Sequence, residues 1–388
     1  MALRLPRIDA VFPRKTRGAI AWFWTKYWLW FFAALPWMLF RQSILIPIQV
    51  IGAIWTWNRS FRFLDDYLEV KFVNNLPALA VTTVFGERFT CIRYGNVLID
   101  PGPVFAGRRL AKWVAAHKIE AIVATHAHEE HIGNALPVAH VTGAPIYGSS
   151  PTLSALRVPE RLSVPRRMFI GQPVAATDAD LRLLPPVLAT RNVTVDIVES
   201  PGHCAGHASL FDSHRGILFA GDSFLHTIFT APNREVHGEE WLQTLDDYLR
   251  RPIKTMVGTH GYIYTTDPAI PATWFVVRRR DPASMIRDKR RFLLWARDVV
   301  VEGERRNLPY SVIEACLFPW QRSWSWQNWF IDEGGRLFSA GEFSRTYFLR
   351  SVSRSPDLVP ARFARVRKRS MRSDVRSAVV RTREWRPP

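Results

Sequence analysis

Four potential metal ligands, His126, His128, Glu130 and His131, fall within the stretch Thr125-His-Ala-His-Glu-Glu-His131. Neutral imidazoles and a carboxylate are the ligand set of a borderline divalent ion such as zinc, and they crowd together at a cost unless a cation offsets their shared desolvation. The stretch follows an apolar, strand-like run, Ala121-Ile-Val-Ala-Thr125, so the histidines sit where a loop emerges from the end of a buried strand. Any fold that uses this motif must bring further donors to the same strand end, because a catalytic metal takes three or four protein ligands and keeps an open position.

Three downstream segments offer such donors in order. Ser200-Pro-Gly-His-Cys-Ala-Gly-His207 presents His203 on a Pro-Gly turn; Leu218-Phe-Ala-Gly-Asp-Ser223 presents Asp222 after an apolar strand; Val257-Gly-Thr-His-Gly261 presents His260 likewise. In each, a short β-run meets glycine, which lets the backbone turn sharply and aim the side chain into a cleft.

Together with Leu98-Ile-Asp-Pro-Gly102, this series resembles the five ordered motifs of the metallo-β-lactamase superfamily over residues 76 to 265. The resemblance implies a dinuclear site in which His126, His128 and His203 hold one metal, Glu130, His131 and His260 a second, and Asp222 bridges the two. It implies two zinc ions, with iron or manganese as alternatives, and hydrolysis by a metal-bound hydroxide held in line by Asp222 and Glu130. Asp100 is expected to orient a ligating imidazole rather than bind metal. One position departs from the pattern: the histidine motif usually carries aspartate where this chain has Glu130. Cys204 reads as a small buried residue or an extra soft ligand. His207, Tyr262 and Tyr264 are candidates to face the substrate.

A chain of 388 residues buries a sizeable core and leaves room for appendages. Three scattered cysteines do not make a disulfide framework and favour a reducing compartment. The 52 Lys and Arg against 34 Asp and Glu leave an excess of 18 that gathers at both ends. Between Ala19 and Trp57 the only charges are Lys26 and Arg41, and seven of the sixteen tryptophans lie there with Pro36 and Pro47. Tryptophan at this density marks the headgroup level of a bilayer. Arg4, Arg7, Arg14, Lys15 and Arg17 precede the segment and Arg59 and Arg62 follow it, so both flanks ask to be cytoplasmic. A hairpin with Arg41 at its far turn, or helices lying in the interface and broken at the prolines, meets that demand. Without a membrane, the segment reads as a helical hairpin packed on the catalytic unit or on a second subunit. At the other end, ten basic residues between Ala361 and Pro388 face only Asp374 and Glu384, which suits an anionic leaflet.

The expected fold class is α/β: a four-layer αβ/βα metallo-β-lactamase sandwich with an N-terminal apolar helical hairpin and a C-terminal helical extension. Strands are read at 79–85, 89–93, 96–100, 121–125, 193–199, 208–212, 217–221 and 255–259, with helices at 107–117 and 239–250. The chain divides into a basic, Trp-rich anchor (1–75), the catalytic domain (76–270), a helical region (271–353) containing a helix from Asp281 through Arg306 and an aromatic cluster at 318–330, and a basic tail (354–388). The leading function is a membrane-associated hydrolase, its catalytic domain facing the cytoplasm, acting on a lipid or amphipathic ester, amide or phosphodiester, with membrane lipids of an anionic leaflet and a small or lipid-like substrate as partners. A nuclease of the same superfamily and an iron-dependent non-hydrolytic member are the alternatives. The basic residues cluster at the termini rather than around the histidine motif, which disfavours nucleic acid.

Overall fold

Short apolar runs punctuated by turns become two sheets. The computed structural model describes residues 3–73, 88–225, 227–228, 233–317 and 343–354, with positions 333, 336, 337, 339 and 341. Among them, the first sheet is β1 (Ser60–Phe63), β2 (Leu68–Phe72), β3 (Thr90–Tyr94), β4 (Val97–Ile99), β5 (Ala121–Val123), β6 (Ile146–Gly148) and β7 (Leu181–Leu183), paired in that order. The second is β8 (Val187–Ala189), β9 (Thr194–Glu199), β10 (Ala208–Asp212), β11 (Ile217–Gly221), β12 (Thr255–Gly258), β13 (Tyr262–Thr265) and β14 (Val277–Arg279), again in chain order. The pairs β4/β5 and β11/β12 are parallel, which aligns the ends of these four strands on one edge of each sheet.

The two-residue period of each strand sorts its side chains between two cores. Val97, Ile99 and Val123 of the first sheet pack with Leu210, Phe219 and Val257 of the second, forming the layer between the sheets. Leu98, Ile122 and Ile146 point the other way, onto Leu110, Val114, Val138 and Leu153 of the helices Gly107–Ala115, Ala135–Thr142 and Ser150–Arg157. Leu218, Ala220 and Met256 pack outward against the helices Gly238–Leu249 and Pro282–Arg305. The result is the expected αβ/βα sandwich. The long C-terminal helix starts where the sequence suggested, with Asp281 accepting from the amides of Ala283 and Ser284.

Two expectations need correction. The catalytic unit does not begin at residue 76, because β1 and β2 are the first two strands of its sheet, and it does not end at 270, because β14 pairs with β13. Charges hid β1 and β2 from the sequence pattern: Glu69 is buried within β2, where Arg93 donates to it at 3.1 Å and Trp113 at 2.9 Å. The N-terminal segment is not a hairpin either; it is one helix, Arg17–Thr56, with both prolines inside. Each proline removes one backbone donor. The sheltered stripe nevertheless runs unbroken across them at helical spacing, through Phe31, Leu35, Met38, Gln42, Leu45, Gln49 and Ala53. The expected strand at 79–85, the aromatic cluster at 318–330 and residues 355–388 of the tail lie outside the described residues.

The outer core encloses a fully buried lysine. Lys289 of the long C-terminal helix is fully buried, its Nζ 4.2 Å from the centre of the Trp241 ring and 5.8 Å from that of Phe224, and burial pushes its pKa down to about 7. Between about pH 7 and the ordinary lysine value near 10.4, the unfolded chain holds a proton that the folded one has released, so this residue makes stability rise with pH across that window. Lys289→Met is therefore expected to gain most in thermal stability relative to the parent at pH 6 and to lose that advantage by pH 10. Paired melting curves at the two pH values check this, and an advantage that grows with pH contradicts it.

Candidate metal centre

Each candidate ligand leaves the end of a strand on the shared edge. Asp100 follows β4 in the left-handed region, at φ 49°. His126 and His128 follow β5, and His131 lies on the turn of helix Glu129–Ile132. His203, Asp222 and His260 follow β9, β11 and β12. Two glycines make the turns. A Cβ at Gly202, where φ is 122°, would lie 2.3 Å from the Trp241 Cα, and one at Gly221, where φ is 53°, would lie 2.4 Å from the His207 Nε2.

The ends converge on Asp222. Its Oδ2 lies 3.4 Å from His131 Nε2, 3.6 Å from His203 Nε2 and 3.9 Å from His126 Nε2, while its Oδ1 lies 3.4 Å from His260 Nε2. A second group of nitrogens meets beside it: His128 Nδ1 is 3.0 Å from His126 Nε2 and 3.1 Å from His203 Nε2. Glu130 reaches the same space, since its carboxylate, His128 and Asp222 bring ligand atoms within 4.8 Å of one another.

Hydrogen bonds behind the cluster fix which ring atom faces it. Asp100 accepts from the Thr125 amide at 2.8 Å, from Thr125 Oγ1 at 2.7 Å and from His131 Nδ1 at 2.9 Å. Since Thr125 Oγ1 spends its proton on Asp100, it accepts from His126 Nδ1, 2.9 Å away, and leaves the His126 Nε2 lone pair facing Asp222. Thr259 Oγ1 donates to Asp222 Oδ1 at 2.7 Å, and Asn233 Nδ2 donates to the His203 carbonyl at 2.8 Å.

The electrostatics match a site that waits for a cation. Burial, together with neighbouring imidazoles, holds His126 well below the ordinary histidine value; burial also holds His203 low against the pull of Asp222. For His131 burial alone would do the same, but the Asp222 and Asp100 carboxylates outweigh it and raise the group well above that value. Burial would raise Asp222, yet His131 and His260 draw it well below the usual carboxylate range. Imidazole nitrogens gathered about 3 Å apart repel one another unless a proton or a metal ion lies between them. Four ligands at about 2.05 Å around a tetrahedral ion stand roughly 3.3 Å apart, close to the spacing seen here. The donor set fits divalent metal, with His126, His128 and His203 in one group and His131, Asp222 and His260 in the other.

Residues 93–260 match the model of the Metallo-beta-lactamase superfamily. The chain carries a metallo-β-lactamase superfamily domain. Members of the superfamily are generally hydrolases and bind divalent metals, typically two. Over 168 residues the chain is 29% identical to the hydroxyacylglutathione hydrolase of Pseudomonas entomophila, covering 41% of this chain and 52% of that one. It is 29% identical over 137 residues to the protein of the same name from Rhodospirillum rubrum, covering 34% and 43%. The match thus spans about half the length of these curated relatives. Among solved structures, a metallo-β-lactamase from Pontibacter korlensis superposes with a TM-score of 0.44 at 15% identity, over 61% of this chain and 98% of that one.

Within this metallo-β-lactamase domain, two expected substrate contacts are displaced. His207 is buried: its Nδ1 meets the Ser200 hydroxyl at 2.8 Å and its Nε2 accepts the Asp222 amide at 3.0 Å, so both nitrogens serve the scaffold. Burial lowers its pKa to about 4, which keeps the ring neutral in this role. Tyr264 packs in the outer core against Phe224, at 5.9 Å between ring centres, and burial pushes its pKa up to about 12. Tyr262 is half-buried beside the guanidinium groups of Arg88 and Arg278. Cys204 is buried next to His126, His128 and His203, and burial raises its thiol well above the ordinary value.

Sequence reasoning missed Glu129 and Arg166, which line a cleft of about 110 Å³ beside His128. Arg166 clamps both carboxylate oxygens of the buried Glu129, at 2.6 and 2.5 Å, and Arg234 bonds both oxygens of Glu160 on the same wall. The doubled acid Glu129-Glu130 was the available signal, since a helix this short has no need of two adjacent acids.

Asp100→Asn should weaken metal binding by about 10–100-fold, because an amide cannot accept all three bonds that orient Thr125 and His131; titration with a competing chelator measures it, and unchanged affinity refutes the assignment. Gly202→Ala should cost about 3 kcal/mol, or roughly 6–12 °C in Tm, since the clash is with the backbone of Trp241. A shift below 2 °C in scanning calorimetry would show that the turn yields.

Proposed function

We propose that this protein is a metal-dependent hydrolase that uses activated water on a lipid or amphipathic ester, amide or phosphodiester, with its catalytic domain at the cytoplasmic face of a membrane. One observation carries the hydrolase reading: the Asp222 carboxylate set among the Nε2 atoms of four buried histidines, with His128 and Glu130 beside them. His126, His128 and His203 would hold one zinc ion, and Glu130, His131 and His260 the second, with Asp222 between. Bound there, the ions would acidify a water toward neutral pH and polarise the scissile bond.

The chain's own residues provide the rest. Thr259 and Asp100 hold Asp222, His131 and, through Thr125, His126 in fixed orientation, so little reorganisation accompanies reaction. The Glu129–Arg166 clamp keeps one wall of the cleft rigid, and Phe343 stacks beneath the Arg166 guanidinium, 5.8 Å from its ring centre. No serine or cysteine is poised as nucleophile among the described residues: the Ser200 and Ser223 hydroxyls are buried against His207, and Cys204 is a raised, buried thiol. Two relatives named hydroxyacylglutathione hydrolase support acyl hydrolysis as the first chemistry to try. The apolar outer face of the long helix supports the membrane.

Purified protein should hold close to two metal ions per chain, and His128→Ala should lower kcat/KM by about 10²–10³-fold, the equivalent of several kcal/mol of lost metal assistance. Elemental analysis and comparison of lipid extracts incubated with parent and variant protein provide the readouts. A full complement of metal with no lipid, ester or thioester consumed would remove the hydrolase assignment.

A further inference from the structure

The long helix is apolar over most of its surface, with Arg17, Lys26 and Arg41 its only charges, and the domain covers one side of it. Along its inner side Ile20, Phe23, Trp24, Tyr27, Phe31, Leu35 and Met38 pack on the outer core, and at its far end Gly52 and Trp55 pack on Phe275. The segment before it is strapped to the same domain: Trp295 Nε1 donates to the Pro6 carbonyl at 2.9 Å, and Arg306 lies 5.0 Å from the Phe12 ring centre. The outer side exposes Trp22, Trp30, Trp37, Phe40, Ile44, Ile51 and Ile54, and the helix contains no acidic residue.

This geometry conflicts with a span. At 1.5 Å per residue the 40 residues reach about 60 Å, twice the hydrocarbon thickness of a bilayer, and both ends are held on one soluble sandwich. Exposed cations mark both ends: Arg14 and Lys15 before the helix and Arg17 as its first residue, Arg59 after it. Beside the first turns, a groove of about 630 Å³ separates the N-terminal strap from the helix, lined by Phe12, Arg14, Trp22, Lys26, Tyr27 and Trp30 among others and, among the described residues, by no acid. Lys26 Nζ sits 5.1 Å from the Trp22 ring centre, so its stem lies on apolar surface while its charge stays at the groove. Aromatic walls and two cations, with no acid among the described lining residues, complement a phosphate that carries acyl chains.

We infer that the long helix lies in the plane of an anionic phospholipid leaflet, its outer face at the acyl boundary and the Arg14–Lys26 groove on a lipid phosphate, and that it does not cross the bilayer. This rests on the membrane part of the proposed function and deepens it. An in-plane helix with aromatic and aliphatic residues on one side and cations at its ends binds by burial and charge together.

Full-length protein is mixed with vesicles of phosphatidylcholine alone or with phosphatidylglycerol. Preferential binding to the anionic vesicles is expected, as is a loss of about tenfold or more in Arg14→Glu/Lys26→Glu. Cysteines introduced one at a time as Lys15→Cys and Arg59→Cys should both react with an impermeant maleimide added outside, and the native Cys91, Cys204 and Cys316 are buried and silent. Labelling at one end only overturns the in-plane arrangement, as does equal binding to neutral vesicles. A stable dimer that ignores both vesicles overturns it in favour of a second copy on the same face. No binding to either vesicle overturns the membrane part of the proposed function as well, whereas unchanged hydrolysis of a soluble thioester by the double variant leaves the hydrolase part standing.

Discussion

A carboxylate facing four imidazole nitrogens at 3.4 to 3.9 Å organises the catalytic half of this molecule. Buried histidines crowd together at a cost, because burial strips their hydration and neighbouring lone pairs repel, and at His131 the Asp222 and Asp100 carboxylates offset it. The fold holds them there by brute geometry. Five strand ends open on one edge, two glycines permit turns that a Cβ would block, and the His126 and His131 rings are tethered from behind by the Thr125 hydroxyl and the Asp100 carboxylate. Stability is placed behind the cluster and strain within it, which is the arrangement expected where a cation completes the charge balance.

The same logic extends outward in layers. Asp100 serves His131 and, through Thr125, His126; His207 holds the Asp222 amide and is itself held by Ser200 and Ser223. Trp241 then packs against Gly202 while its indole donates to the Ser223 carbonyl at 2.8 Å, and Lys289 lies over the indole face. A chain of contacts therefore runs from a buried lysine in the outer helices to the loop that carries His203. That outer layer is also the one on which the long N-terminal helix rests, so the candidate metal centre and the helix share a single core.

Much of the site was legible in the chain because its ligands occupy short, ordered motifs at the ends of apolar runs. Asp100, His126, His128, His131, His203, Asp222 and His260 all come to one place, and Glu130 reaches it despite its extra methylene. Residues that act by contact alone were not legible. His207 and Tyr264 sit at positions that look substrate-facing in the sequence, yet folding turns one into a brace and the other into core. Glu129 is held by Arg166, 37 positions away, a partner that no local pattern around Glu130 announces. Likewise β1 and β2 were hidden because Glu69 breaks the apolar alternation, and its compensation by Arg93 and Trp113 exists only in three dimensions.

By itself the sequence determined the α/β sandwich, the order of the candidate ligands and the presence of a long apolar segment with few charges, since periodicity and motif spacing are local properties written along the chain. Tertiary structure alone decided which ring nitrogen faces the cluster, which polar groups stand behind it, and that residues 17–56 form one helix lying along the domain instead of a hairpin. The physical reason is common to all three. Burial, hydrogen-bond pairing and a continuous packed stripe depend on partners far away in sequence, and no local pattern of apolar or charged residues encodes where those partners will be.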